Sequence, residues 1–281
     1  MASNNIVLIH GLWMTPLSFE YWSHHYTQLG YHVHSPAWPG MEVDIRALRR
    51  APERYADLSI RRIVDHYERI VLGLEEPPIL MGHGFGGFVV QSLLDRGLGA
   101  CGVAVASTPI RGIWTLPYTT MRMVTPQLIG GTRGPVRLPA GLFHHAFMHD
   151  CPREEAQAAY ERYIVPGSRR VLLQAELANF NPFAPTSINV RRNNRAPLLM
   201  IAGSQDRLTP PGMVRANTRA YRHSLATTEY REFPGRTHFI IAQRVWQEVA
   251  SHALDWVHDQ ELLQQREARR VVREMQARQV A

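Results

Sequence analysis

Lysine is absent from this chain of 281 residues, so all 31 basic residues are arginine. Without lysine, the chain cannot form a Schiff base, supply a P-loop lysine or use a lysine as general base. Cysteine is scarce as well, because only Cys101 and Cys151 are present. Two cysteines are too few for a disulfide framework or a zinc cluster, so a reduced, cytoplasmic setting is expected.

Long hydrophobic runs are also lacking. No apolar run approaches the roughly 20 residues that a membrane-spanning helix needs, and the first residues do not join a basic segment to an apolar one, as a secretory signal would. The formal net charge is +7, but the arginines are scattered, apart from short pairs such as Arg49-Arg50 and Arg191-Arg192. Phosphate contacts need a clustered basic stripe. We therefore expect neither a membrane nor a nucleic acid as a partner.

What the chain does contain is an alternation of short apolar runs and amphipathic stretches. This pattern predicts an α/β fold with a mostly parallel, twisted sheet flanked by helices. In the stretch 59–74, for example, apolar residues recur at helical spacing and charged residues lie opposite them. The predicted strands are 6–9, 31–34, 78–82, 101–106, 196–203 and 228–233, and the predicted helices include 18–29, 59–74, 211–222 and 240–258.

Residues 108–195 interrupt this alternation with many prolines, methionines and aromatic residues. Their aromatic content argues against a disordered insertion. We therefore predict a helical cap over residues 108–195, inserted into a core formed by residues 1–107 and 196–258. Residues 259–281 are polar and rich in arginine, which indicates a helical extension in solvent or a frayed terminus, and a homodimer contact is the alternative.

The most informative segment is Gly82-His83-Gly84-Phe85-Gly86, which follows a predicted strand. It has the pattern G-x-S-x-G, in which a serine sits on a sharp strand-to-helix turn, except that glycine takes the central position. That position is held at positive φ, which costs an ordinary residue about 1 kcal/mol or more. We expect Gly82 and Gly86 at a close approach of backbones. A phosphate-binding loop is the alternative, but the acidic partner expected about 20 residues further on is missing.

Four further landmarks stand in a fixed order around this turn. They are His10-Gly11, Trp38-Pro39-Gly40, the loop 202–210 with Asp206, and the loop 235–239 with His238. Together with the glycine-rich turn, they make the chain resemble the α/β-hydrolase family over residues 5–258. The resemblance implies that Gly84 occupies the nucleophile position, that Asp206 orients a histidine, and that His238 is that histidine. Asp206 as a turn-capping residue beside Arg207, and His238 as one structural histidine among fourteen, are the alternatives.

The resemblance also implies an oxyanion hole formed by the backbone N–H groups of Leu12 and Phe85, neither of which depends on the side chain at position 84. The aromatic residues and methionines of the cap suggest a small-molecule substrate, an apolar acyl or polyketide-like compound, although they equally suit a cap core. No cofactor is expected. His24-His25 and His144-His145 lack a carboxylate or cysteine at ligand spacing, so no metal site is expected either.

Three explanations of Gly84 stay open. The first is an ester or lactone hydrolase whose nucleophilic serine was replaced by glycine, which would trap substrate. The second is a natural enzyme without a nucleophile, in which Asp206 and His238 form a general base for cyclisation or lyase chemistry. The third is a ligand-binding pseudoenzyme. The sequence favours the class of ester and lactone hydrolases.

Overall fold

The computed structural model describes residues 3–114 and 131–280; residues 115–130 of the predicted cap and residue 281 of the predicted tail lie outside it. Six strands form the central sheet, in the order β2-β1-β3-β4-β7-β8, and every neighbouring pair is parallel. A separate antiparallel pair joins β5 and β6. The strands are β1 (Asn5–Ile9), β2 (His32–His34), β3 (Ile79–His83), β4 (Cys101–Val105), β5 (Pro135–Val136), β6 (Gly167–Ser168), β7 (Leu198–Gly203) and β8 (Thr228–Phe233).

Helices cover both faces of this sheet, so the predicted α/β class is confirmed. They are α1 (Glu20–Gln28), α2 (Ile45–Arg50), α3 (Glu53–Ala56), α4 (Ile60–Leu72), α5 (Phe85–Asp95), α6 (Ala140–Phe147), α7 (Arg153–Tyr163), α8 (Arg169–Glu176), α9 (Pro211–Ala220) and α10 (Trp246–Val280), with short 3-10 helices at Pro16–Phe19 and Ala178–Phe180.

Two short helices and one helix start differ from the sequence prediction. Helices α2 and α3 were not predicted, although Asp44 marks the first: its carboxylate accepts a hydrogen bond from the Ala47 backbone N–H at 2.9 Å. The last helix was predicted to begin at residue 240, but it begins at Trp246. Val245, just before it, has a left-handed backbone with φ of 59°, which interrupts helical hydrogen bonding.

The alternation of side chains along each strand explains why the strands read as unbroken apolar runs. In β1, Val7 and Ile9 pack on one side of the sheet with the helices α4 and α5. Ile6 and Leu8 pack on the other side, with Trp22 of α1 and the first turns of α10. Because both faces are covered, neither set of side chains meets water, and no polar residue is needed between them.

The described part of the segment between β4 and β7, which we call the inserted segment (residues 108–114 and 131–195), is held against the core by buried and surface polar contacts. The Arg49 guanidinium donates to the carbonyl oxygens of Ile164 and Glu161 at the end of α7, each at 2.7 Å. The Glu20 carboxylate accepts from Arg162 at 2.8 Å. The first contact ties α7 to α2, and the second ties it to the start of α1. The domain boundaries that the sequence suggests stay predictions.

Trp13, in the loop after β1, is hydrogen-bonded to the inserted segment at two points. Its indole N–H donates to the Val136 carbonyl at 3.2 Å, and its own carbonyl accepts from the Val165 N–H at 2.9 Å. Its backbone has φ of 67°, a conformation that costs an ordinary residue free energy and persists where surroundings enforce it. The loop after β1 and the β5–β6 pair therefore form one packed unit.

Backbones meet without side chains between them where β3 turns into α5. A Cβ added at Gly86 would lie 2.0 Å from the Ile9 carbonyl oxygen, and one at Gly82 would lie 2.2 Å from the Gly86 carbonyl oxygen. No real Cβ fits at such distances, so glycine is required at both positions, as the sequence predicts. The contact seats α5 directly on β1 and β3.

We expect Gly86→Ala to lower the free energy of unfolding by at least about 3 kcal/mol, because the methyl group would push α5 off the sheet. Gly141→Ala is the matched control: Gly141 lies in α6 with no heavy atom within 4 Å of an added Cβ, so a gain of up to about 1 kcal/mol is expected. Urea unfolding followed by circular dichroism measures both. Equal stability of the two variants would contradict the close contact.

Candidate active site

The loops that follow four strands of the parallel sheet lie at the same edge, where the carboxyl ends of the strands are. The loop after β1 carries Gly11 and Leu12, the turn after β3 carries Gly84, and the loops after β7 and β8 carry Asp206 and His238. Parallel strands place their carboxyl ends side by side, and open α/β sheets bind ligands there. Residues that are far apart in the sequence therefore lie close together at this edge.

Gly84 sits between β3 and α5 with φ of 56° and ψ of −117°. Its N–H donates to the Val105 carbonyl at 2.9 Å, and its own carbonyl accepts from the backbone N–H of Thr108 at 2.9 Å and of Gly87 at 3.1 Å. The turn is therefore fixed by the end of β4 as well as by its own helix. The positive φ predicted from the sequence is present.

Asp206 and His238 meet directly. The Nδ1–H of His238 donates to Oδ2 of Asp206 at 2.8 Å, and both side chains are buried. The Asp206 carboxylate fixes the imidazole in the tautomer that leaves Nε2 as the proton acceptor. The two residues singled out from the sequence are thus neighbours, 32 positions apart in the chain.

The other oxygen of Asp206 serves the turn. Oδ1 accepts from the backbone N–H groups of Leu208 and Thr209, each at 2.8 Å. One oxygen of Asp206 therefore caps the turn and the other contacts His238. Thr209 is a residue that the sequence analysis missed: its hydroxyl lies 2.8 Å from Oδ2 and 3.3 Å from Nδ1 of His238. Nothing local in the sequence distinguishes it from any threonine in a loop.

The free nitrogen of His238 faces position 84. A Cβ built on Gly84 would lie 3.5 Å from Nε2 of His238 and 3.9 Å from its Cε1. A serine hydroxyl extends about 1.4 Å beyond Cβ, so a serine there would reach hydrogen-bond distance of Nε2. Within residues 3–114 and 131–280, no side chain donates a hydrogen bond to this nitrogen.

The backbone N–H groups of Leu12 and Phe85 lie at the same edge. Phe85 is the first residue of α5, so its N–H is one of the helix-terminal donors that lack an acceptor within the helix. A Cβ on Gly11 would lie 3.7 Å from the Phe85 nitrogen, which places the loop after β1 against this helix terminus. Leu12 and Phe85 both line the pocket that contains Gly84 and His238.

Two further histidines support these loops and are buried in neutral form. Burial lowers the pKa of His10 to about 4; its Nδ1–H donates to the Gly11 carbonyl at 3.1 Å, and its Nε2 accepts from the Trp38 N–H at 3.3 Å. Burial also lowers the pKa of His83 to about 3, and its Nε2–H donates to the His238 carbonyl at 2.8 Å. The Trp38 landmark thus positions the loop after β1, and His83 positions His238.

The pocket above these residues is lined by both apolar and polar groups. Phe147 of α6 places its ring edge-on against the His238 imidazole, with ring centroids 4.7 Å apart. The inserted segment therefore contacts the histidine itself. The apolar lining consists of Leu12, Trp13, Met14, Phe85, Pro109, Phe147, Val171, Leu172, Ala175, Leu208 and Met213.

A family model described as "Alpha/beta hydrolase family" matches residues 6–252. The chain belongs to this family. No curated protein matches it significantly. The match covers both loops of the Asp206–His238 pair and the turn at Gly84, so the family and the fold are shown by the same part of the chain.

Solved structures agree on the fold. A monoacylglycerol lipase from Paleococcus ferrophilus is 18% identical, with a TM-score of 0.65 and coverage of 92% of this chain and 96% of that one. An extracellular alpha/beta-hydrolase from a Paenibacillus species is 18% identical, with a TM-score of 0.65 and coverage of 89% and 98%. A putative non-heme bromoperoxidase from Mycobacterium tuberculosis is 18% identical, with a TM-score of 0.67 and coverage of 92% and 93%. At these identities the likeness concerns the fold.

None of the described helices combines the length and apolar character that crossing a bilayer requires. Likewise, the described residues contain no group of three or more histidine, cysteine, aspartate or glutamate side chains arranged to hold a metal ion.

We expect the free energy of unfolding of the protein to exceed that of its His10→Gln variant at pH 7, and this difference to become smaller as the pH falls. The folded state resists protonation of His10 until about pH 4, whereas the unfolded chain takes up the proton near pH 6.5. Between these values the unfolded state binds more protons, so stability falls as pH falls, by about 1.4 kcal/mol per pH unit for this histidine. The variant lacks this loss. Urea unfolding between pH 7 and pH 4 measures this difference in the free energy of unfolding. The variant His24→Gln, at an exposed position, is the control. A difference that stays constant over this pH range would refute a neutral, buried His10.

Proposed function

We propose that this protein is an enzyme of the ester and lactone hydrolase class in which Gly84 occupies the position of the nucleophilic serine. One observation carries the proposal. The His238 imidazole is held by Asp206 at 2.8 Å and directs its free nitrogen to a point 3.5 Å from where a side chain at position 84 would begin. This is the arrangement in which a histidine takes the proton of an attacking hydroxyl.

The remaining requirements of acyl transfer are met by the backbone. The N–H groups of Leu12 and Phe85 would stabilise the oxyanion of a tetrahedral intermediate, and such donors are worth about 3 kcal/mol each in other hydrolases. Both donors are main-chain atoms, so the glycine at position 84 does not remove them. The chain therefore keeps the base, the residue that orients it and the donors, and lacks the attacking oxygen.

The pocket walls support a substrate with an apolar acyl or polyketide-like part. Besides the apolar lining, similar structures are titled as a monoacylglycerol lipase, a polyneuridine aldehyde esterase and a pyrethroid hydrolase from Sphingobium faniae. These names indicate esters with an apolar part. The unpaired Cys101 and Cys151 support a cytoplasmic location, and exposed Leu262 and Leu263 of α10 support a homodimer contact.

A second candidate function needs no nucleophile. Within the described part of the chain, Nε2 of His238 is bonded to no hydroxyl, so the pair is complete as a general base in the protein as it stands. It would take a proton from a substrate C–H or O–H group while the backbone donors stabilise the resulting enolate or alkoxide. Cyclisation and lyase reactions use such a step. If no turnover occurs at all, the pocket serves ligand binding alone.

We expect Gly84→Ser to hydrolyse short aryl esters such as 4-nitrophenyl butyrate at least about 10²-fold faster than Gly84→Ala. Both variants bear the same strained backbone, at a cost of about 1–3 kcal/mol of stability, but only serine supplies an oxygen within reach of His238. Spectrophotometric rates and labelling by a fluorophosphonate are the measurements. The hydrolase proposal fails if a folded Gly84→Ser variant matches Gly84→Ala in rate and resists labelling.

For the second candidate, we expect the unaltered protein to exchange the acidic C–H of ethyl acetoacetate for deuterium faster than buffer does. His238→Ala should abolish this excess rate, and Asp206→Asn should lower it by about 10²-fold, because a positioned general base contributes about 10²–10⁴-fold. Proton NMR in deuterium oxide measures the exchange. Equal rates for the protein and His238→Ala would eliminate His238 as a base.

A further inference from the structure

A carboxyl group stands in the same pocket and has no place in the chemistry described so far. Glu176 is the last residue of α8, and it lines the pocket together with Gly84 and His238. It also lines a second pocket, which continues toward the exposed rings of Trp114 and Phe180. The side chain therefore lies where the catalytic pocket and the outer pocket meet.

Nothing in the described chain compensates this carboxyl group. Across residues 3–114 and 131–280, no hydrogen bond or ion pair involves its side chain. Glutamate is seldom buried without a partner, and a carboxylate at a helix C-terminus meets the negative end of the helix dipole. Arg170, on the same helix, lines a different groove. Glu176 is half-buried and lines the pocket, so its carboxyl group is available to a polar group of a ligand.

Glu176 is the only carboxyl group that lines this pocket among the described residues. The other titratable side chains in the lining are His83, whose Nε2–H is bonded to the His238 carbonyl, and His238, whose Nδ1–H is bonded to Asp206. Both histidines are therefore committed at one ring nitrogen. Burial raises the pKa of Glu176 to about 7, so protonated and ionised forms coexist near neutral pH.

We propose that Glu176 is a substrate-binding residue that selects substrates carrying a hydroxyl or ammonium group on the part that reaches the outer end of the pocket. The proposal rests on the proposed function only in taking this pocket as the substrate site. A protonated carboxyl group both donates to and accepts from a hydroxyl, and an ionised one pairs with an ammonium group. A pocket with a small number of convergent polar groups is a common design for orienting a ligand.

Three probes of nearly equal size test it without any reaction: benzylamine, benzyl alcohol and toluene. Their dissociation constants are measured by NMR titration of the unaltered protein, Glu176→Leu and Glu176→Gln. The Leu172 and Met213 methyl signals report occupancy, because both residues line the pocket. Glu154→Gln, at an exposed position of α7, is the matched control for loss of a glutamate elsewhere.

We expect Glu176→Leu to weaken benzylamine and benzyl alcohol by about tenfold or more, since a hydrogen bond to a charged group contributes about 1.5–3 kcal/mol, and to leave toluene binding equal or tighter. Glu176→Gln should weaken the binding of benzylamine but leave the dissociation constant of benzyl alcohol within about threefold, because an amide still donates and accepts hydrogen bonds. A loss confined to benzylamine in both variants identifies the ammonium group, and a loss of benzyl alcohol in Glu176→Leu identifies the hydroxyl group.

Two results would overturn the proposal: equal changes for all three probes, or no saturable binding of benzylamine and benzyl alcohol to the unaltered protein. Tighter toluene binding by Glu176→Leu shows that the variant folds and that its pocket is open. The outcome is independent of position 84, so a Gly84→Ser variant without esterase activity leaves this result intact. Raising the pH from 6 to 8 should strengthen benzylamine binding to the unaltered protein by about tenfold, and not to Glu176→Gln.

Discussion

The contact between Gly86 and the Ile9 carbonyl oxygen is the constraint on which the site depends. It lets α5 rest on β1 with no side chain between them, so the helix begins directly over the carboxyl ends of the strands. The backbone of Gly84 is then fixed by hydrogen bonds to Val105 and Thr108 at the end of β4. The other groups of the site are arranged around this turn: the N–H of Phe85 belongs to it, and the His238 imidazole faces it.

Because this geometry is set by backbone contacts, it does not depend on which side chain occupies position 84. The hydrogen bonds of Gly84 are made by its backbone, and neither the Asp206–His238 pair nor the pocket walls need a side chain at position 84. Glycine also adopts φ of 56° without the strain that serine would bear. The result is a scaffold with the features of an acyl-transfer site that is relieved of strain at its centre, and such a scaffold is compatible both with a disabled hydrolase and with proton-transfer chemistry.

Much of this arrangement could be predicted from the sequence, because the signals are local. The glycines of the turn, the apolar strands and the order of Asp206 before His238 each fall within short segments. Thr209 and Glu176 were not predicted, since their significance comes from lying near His238, which is distant from them in the sequence. The position of Glu176 in the pocket is set by where α8 packs, and no periodicity in the sequence carries that information.

The start of the last helix illustrates a second limit. Residues 240–245 were predicted to be helical, yet Ile240 and Ile241 are buried in turns and Val245 takes a left-handed backbone. Tertiary packing of the loop that carries His238 decides this conformation, and it overrides local helical preference. Such exceptions to local preference concentrate near functional sites.

The hydrogen bonds of Trp13 link the loop after β1 to the inserted segment. Its indole and its carbonyl are bound to Val136 and Val165, and the next residue toward the N-terminus, Leu12, lines the pocket. A displacement of the β5–β6 pair would therefore also shift the loop after β1. The shape of the pocket and the position of the inserted segment are coupled through this one tryptophan.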